Sequence, residues 1–231
     1  MPDLQNFEYK PENKNVAVVL IGTFNPLMFQ PNWFGYNDII NKLEIESIIS
    51  NQTNPCIISP NITMFNTPQL QVQVQPNMFS INATKEPFSV LKDVVTKTFE
   101  ELSSVPIVAM GINTAGHFKI PNISKYHEFA DRLSPKEIWK DFLGDNVSGD
   151  NRTGGLLQMT MQNKKDGQEG FINVIIEKSV KFKQGIYILC NDHYAFKEKT
   201  DAEEVIDILE QNFKSSMARS FAIQESLFKG L

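Results

Sequence analysis

Residues 70–75 read LQVQVQ, three apolar side chains alternating strictly with three glutamines. Successive side chains of a strand point to opposite faces, so this stretch needs a sheet with one dry face and one wet face. Parallel sheets bury both faces, whereas antiparallel sheets tolerate a wet one. The chain is therefore expected to build on a largely antiparallel sheet. Pro76-Asn77 follows as a turn signal, and MFSINA (78–83) reads as the return strand.

Helical stretches alternate with the strands. VAVVLIGTF (16–24) predicts a buried strand, and residues 33–50 predict a helix with Ile39, Ile40, Leu43 and Ile48 near helical spacing. Residues 86–105 predict an amphipathic helix lined by Leu91, Val94, Val95, Thr98, Phe99 and Leu102. The plan then repeats: a strand (106–120), a helical stretch (124–143), three strands (154–162, 170–179 and 184–191) and a closing helix (200–228). Ser134 to Glu137 (SPKE) and Thr200 to Glu203 (TDAE) read as capping boxes at helix starts.

The repetition extends to single residues. With residues 90–99 set over 204–213, Leu91 meets Val205, Asp93 meets Asp207, Val95 meets Leu209 and Phe99 meets Phe213. Residues 72–81 overlie 187–196 in the same way. An internal duplication follows. The expected fold is α+β: two βαββ(β)α halves, about 15–104 and 105–231, forming one globular unit with helices packed on one face. Residues 1–14 are expected to form a flexible lead. In this alignment Asn191-Asp192-His193 falls where the first half has its turn, and Asn and Asp accept left-handed backbone, so a tight turn is expected there.

Charge and composition narrow the function. Lys and Arg total 22 against 27 Asp and Glu, a net charge of -5. Arg132, Arg152 and Arg219 are the only arginines. Duplex nucleic acid, which needs concentrated positive charge, is disfavoured as the main partner. Lys164, Lys165, Lys178, Lys181 and Lys183 lie close in sequence and leave a local basic patch as an option. No apolar run approaches the ~18 residues of a membrane helix, and no signal pattern precedes the first strand, so a cytoplasmic protein is expected. The only cysteines, Cys56 and Cys190, sit in apolar runs and are expected to be reduced and buried. The six N-x-S/T sequons, at Asn51, Asn61, Asn82, Asn122, Asn146 and Asn151, carry little weight in such a chain.

LCNDHYAF (189–196) concentrates reactive side chains. Nucleophilic catalysis by Cys190 would need a histidine from among His117, His127 and His193, yet a Cys ending GIYILC reads first as a small buried hydrophobe. Asp192 and His193 are adjacent; as strand residues they would face opposite ways and could not act as an orienter–base pair. No C-x-x-C, H-E-x-x-H or paired histidines occur, so no metal and no cofactor is expected. GTFNP (22–26) lacks the repeated glycines and the lysine of a phosphate loop, SGDNRTGG (148–155) bears glycines but precedes a strand rather than a helix, and both read as plain loops.

GTFNPLMFQPNWFGY (22–36) is the richest aromatic stretch. Phe24, Asn25, Phe29, Trp33, Phe34 and Tyr36 either cap the core or form a partner-binding surface. Residues 15–34, the strand 70–82, the helix ending TFEEL (98–102), the VAMGIN strand (108–113) and the ending FKSSMARSF (213–221), in this order, resemble a family of sporadically distributed bacterial proteins. The resemblance implies an internally repeated α+β fold and an accessory role such as phage defence, and it transfers no catalytic residue.

The leading expectation is a non-enzymatic binding or assembly protein, with a protein partner or self-association. The alternative is a hydrolase or nucleic-acid-processing enzyme in which Asp192, His193 and either Cys190 or His117 converge between the halves. A nucleic-acid binder using the lysine cluster is the third option.

Overall fold

The computed structural model describes residues 9–50, 56–148, 152–167 and 169–231. Residues 1–8 of the expected flexible lead, the Asn51 and Asn151 sequons, and 149–151 of the SGDNRTGG loop lie outside the described residues.

The first part of the chain runs β1 (Pro11–Gly22), a 3-10 turn (Pro26–Met28), α1 (Pro31–Tyr36), α2 (Lys42–Ser50), β2 (Ile57–Ile58), β3 (Thr63–Asn66), β4 (Leu70–Gln75), β5 (Met78–Ala83) and α3 (Ser89–Glu101). The second part runs β6 (Ile107–Lys119), α4 (Ile123–Leu133), α5 (Glu137–Leu143), α6 (Asp145–Ser148), β7 (Gln158–Lys164), β8 (Gly170–Lys178), β9 (Gly185–Thr200) and α7 (Ala202–Leu227). All strands join one nine-stranded sheet in the order β2-β3-β4-β5-β1-β6-β9-β8-β7. Every pairing in it is antiparallel. The fold is thus α+β on an antiparallel sheet, as the LQVQVQ alternation implied. Leu70, Val72 and Val74 are buried, and the intervening glutamines are half-buried.

One core holds the sheet to its two long helices. Val16, Val18 and Leu20 of β1, Phe79 and Ile81 of β5, and Met110 and Ile112 of β6 pack with Leu91, Val95 and Phe99 of α3 and with Val205, Leu209 and Phe213 of α7. Each such side chain contributes about 1.5–3 kcal/mol through burial. The five buried positions of α3 are Leu91, Val94, Val95, Thr98 and Phe99, all on the expected face. A second cluster joins Phe118, Ile120, Phe129, Ile186, Ile188, Cys190 and Phe228.

The largest departure from expectation is at residues 191–193. β9 runs unbroken through them, so there is no turn. The cause is lateral: Asn191 is paired with Asn113 on one side and Asn173 on the other, and Asp192 with Ile112 and Ile172. A strand held on both edges has its hydrogen bonds satisfied in the extended form, and this outweighs the local turn preference. Gly170 belongs to the same arrangement. Its φ is 144° and an added Cβ would lie 2.1 Å from the His193 carbonyl oxygen, so the β7–β8 turn comes down directly on β9.

Other boundaries shift for identifiable reasons. β1 begins at Pro11, so Pro11, Asn13 and Lys14 of the expected flexible lead are paired with β6, with a register shift at Glu12. The helix expected over 33–50 divides into α1, which starts with Pro31 in its first turn, and α2; Asp38 between them has φ 52°. Leu43 of that stretch is exposed, while Ile39, Ile40 and Ile48 are buried. Ser134 opens no helix. It caps the end of α4, with its N–H donating to the Ala130 carbonyl, and α5 starts only at Glu137. The box expected at Thr200 is displaced by one residue: Asp201 is the cap, its carboxylate accepting from the Glu204 N–H. Cys56 is exposed, contrary to expectation, and Cys190 is buried.

Candidate functional site

β9 sorts the reactive side chains of LCNDHYAF onto two faces of the sheet. Cys190, Asp192 and Tyr194 enter the helix-packed core, and His193 faces the other way. Asp192 is 1% exposed and holds two cations. Arg219 of α7 donates to its Oδ2 at 2.6 Å, and Lys165, from the β7–β8 turn, pairs with its Oδ1. The Tyr194 hydroxyl donates to Oδ2 at 3.3 Å, and the Lys165 ammonium lies 3.0 Å from the centroid of the Tyr194 ring. Burial lowers the pKa of Lys165, opposed by the hydrogen bond and charge of Asp192. Burial pushes the Tyr194 phenol far up, with the Asp192 charge adding to the effect. The cluster clamps the β7–β8 hairpin and α7 onto β9.

His117 and His193 lie on the opposite face of the sheet from Cys190. Burial drives its thiol up to about 11, so it stays protonated at neutral pH and is a poor nucleophile. Its Sγ lies 3.7 Å from the Ser220 carbonyl oxygen. His193 stacks on Phe171 with centroids 4.4 Å apart. His117 Nδ1 sits 2.8 Å from the Ser179 hydroxyl, and the ring packs 4.7 Å from Tyr187. In the β6–β9 register His117 pairs with Tyr187 and Gly111 with His193. The two histidines are therefore about 20 Å apart at ~3.3 Å per residue. Cys190, Asp192, His193 and His117 do not converge.

The aromatic stretch divides by burial. Phe24, Phe29 and Phe34 are in the core with Phe65, Phe79 and Phe99, and Trp33 packs against that cluster. Phe29 alone has ring neighbours in Phe24, Trp33, Phe34, Phe79 and Phe99. Asn25 caps the 3-10 turn by accepting from the Leu27 N–H, and Tyr36 is exposed. The lysines divide as well. Lys164 and Lys165 lie at one end of β8, while Lys178, Lys181 and Lys183 lie at the other. Those ends are about 25 Å apart at strand rise, so the five do not make one patch.

The end of the molecule at α5 and β7 has features that the sequence reading passed over. No residue of α5 is buried. Ile138, Trp139, Phe142 and Leu143 follow i, i+1, i+4, i+5 spacing and share one helix face, and Phe142 is 84% exposed. Gly144, at φ 62°, ends the helix there. β7 closes one end of the sheet, and Met161 and Leu157 beside it are exposed. The spacing in EIWKDFL is the sequence signal for this face.

Two adjoining cavities lie between α4, α5 and the segment 152–158. One, of about 210 Å³, is lined by His127, Asp131, Lys136, Arg152, Lys178 and Lys183 among others. Asp131 receives Arg152 Nη1 at 2.7 Å and Lys136 Nζ at 3.6 Å. Burial lowers the pKa of His127, helped by Arg152 and opposed by Asp131. The other, of about 250 Å³, is lined by Trp139, Leu143, Val147, Leu156 and Leu157. Among the described residues no group of three or more His, Cys, Asp or Glu is placed to hold a metal, and no helix is long and apolar enough to cross a membrane. No family model and no curated protein matches this chain.

Proposed function

We propose that this chain is a non-enzymatic assembly protein that self-associates through β7 and α5. The observation that carries the reading is an edge that pairs with no further strand among the described residues, beside an exposed apolar helix face. Sheet edges are usually blunted by shortness, proline, charge or a covering element. β2, at one end, is two residues long. β7, at the other, is seven residues long, has no proline, and carries its only charge at Lys164. Ile138 and Phe142 on α5, with Leu157 and Met161, add apolar side chains to the same end.

A second copy fits this edge without charge conflict. Antiparallel pairing of β7 with its own copy about Met161 sets Thr160 against Gln162, Met159 against Asn163 and Gln158 against Lys164. No like charges face each other, and main-chain hydrogen bonds supply the affinity. The test is the mass of the particle in solution before and after this edge is blocked.

We also infer that the two parts of the chain arose by duplication. In the strand order, β1, β5, β4 and β3 run outward on one side of the β1–β6 pair as β6, β9, β8 and β7 run outward on the other. α3 and α7 each follow the last strand of their part, and Leu91, Val95 and Phe99 share burial with Val205, Leu209 and Phe213. Under this correspondence β9 matches β5 alone, rather than the β4–β5 hairpin of the sequence alignment.

A further inference from the structure

We propose that the paired cavities between α4, α5 and the segment 152–158 form one binding site for a small organic anion with an apolar body, such as an aryl phosphate. The site adjoins the α5 and β7 surface proposed for self-association but rests on different observations, its cavities and their charge. The two cavities share a wall of Lys136, Gly155, Leu156 and Leu157, so a single ligand can reach both. Volumes of about 210 Å³ and 250 Å³ suit a head group and a ring, respectively; together they fall in the range of small-molecule sites.

The chemistry of the two lobes differs sharply. The described residues of the first lobe include Lys136, Arg152, Lys178 and Lys183 as cations and Asp131 as the one carboxylate. This excess of positive charge arises in a chain of net charge -5. Two of the cations are also held in place: the side chains of Lys136 and Arg152 are 10% and 12% exposed, and both are fixed on Asp131. Cations oriented in advance in a partly desolvated wall favour an anionic head. The second lobe offers Trp139, Leu143, Val147 and Leu156, an apolar slot with an aromatic side chain at its mouth. Inorganic phosphate would leave that slot unused, and a neutral aromatic would leave the cations unused.

The experiment is isothermal titration calorimetry with 1-naphthyl phosphate, against inorganic phosphate and 1-naphthol. The expected result is saturable binding of one naphthyl phosphate per chain, with each comparator at least tenfold weaker. Lys183→Gln, at an exposed position, and Trp139→Ala should each weaken binding about tenfold. Lys14→Gln, in the separate cavity beside Phe221, should leave it unchanged. Absence of saturable binding, equal binding of 1-naphthol, or loss at Lys14→Gln but not at Lys183→Gln would overturn the proposal. Light scattering on Lys183→Gln keeps this result separate from the assembly reading, because Lys183 lies outside both β7 and α5.

Discussion

Asp192 and His193 are consecutive in the chain and lie on opposite faces of the sheet. The carboxylate is 1% exposed between Arg219 and Lys165, while the imidazole stacks on Phe171 at 4.4 Å on the other side. Their adjacency in sequence carries no shared chemistry. It does make Asp192 a structural charge whose removal has a defined cost.

Asp192→Leu should destabilise the protein by about 3–5 kcal/mol, because it strands a buried cation. Lys165 is the stranded one, since its side chain is 6% exposed, whereas Arg219 is 42% exposed and can turn to water. Adding Lys165→Met to that variant should recover much of the loss. Urea denaturation of the two single variants and the double variant measures the coupling, and additive losses would contradict the buried pair.

Stability should fall as pH drops through the ordinary histidine range. The pKa of each histidine is lowered in the folded state, mainly by burial; Lys181 adds to this at His117, Arg152 at His127 and Lys165 at His193. A depressed folded pKa means that below about 6.5 the unfolded chain takes up protons that the folded chain refuses, and this favours unfolding. The loss begins near the unfolded value and levels off below the folded ones. Urea midpoints at pH 7.5 and 5.5 should show it, and a higher midpoint at pH 5.5 would contradict the assigned surroundings.

The cysteines should differ in reactivity. Cys56 is exposed, and Cys190 is buried with its thiol pushed up to about 11. Iodoacetamide on the native protein should label Cys56 at least tenfold faster, with Cys190 reacting only on unfolding. Mass spectrometry of timed samples reads this directly.

Truncations in the aromatic stretch should separate its core residues from its exposed one. Phe29→Ala removes a side chain 1% exposed, at a cost of about 3–5 kcal/mol. Tyr36→Ala, at a site 81% exposed, should change stability by no more than about 0.5 kcal/mol. Equal effects in thermal melts would contradict the packing.

The fold was legible wherever a period ran long enough. The glutamine alternation of β4 gave an antiparallel sheet, and the spacing from Leu91 to Phe99 gave the buried face of α3. What the sequence hid came from lateral neighbours. Nothing local reveals that Asn191 and Asp192 have a strand on each side, or that a lysine 27 residues before Asp192 and an arginine 27 residues after it both reach its carboxylate. The aromatic stretch was ambiguous because the same residues suit a core and an interface, and burial alone separates Phe29 from Tyr36. The apolar spacing of α5 is visible in EIWKDFL, but spacing alone does not say whether a neighbour covers that face; Pro135 follows the cap at Ser134, and α5 begins two residues later with its own periodicity.

Self-association through β7 is tested most directly by light scattering on size-fractionated protein, with Met161→Lys and Phe142→Asp alongside. Both positions are exposed, so the single chain keeps its core. In the proposed pairing Met161→Lys sets two lysines face to face, and Phe142→Asp puts charge on the apolar helix face. The account predicts twice the mass of one chain for the parent and a single chain for Met161→Lys, with unchanged circular dichroism. A parent that runs as a single chain at all concentrations, or a Met161→Lys variant that keeps the doubled mass, would contradict it.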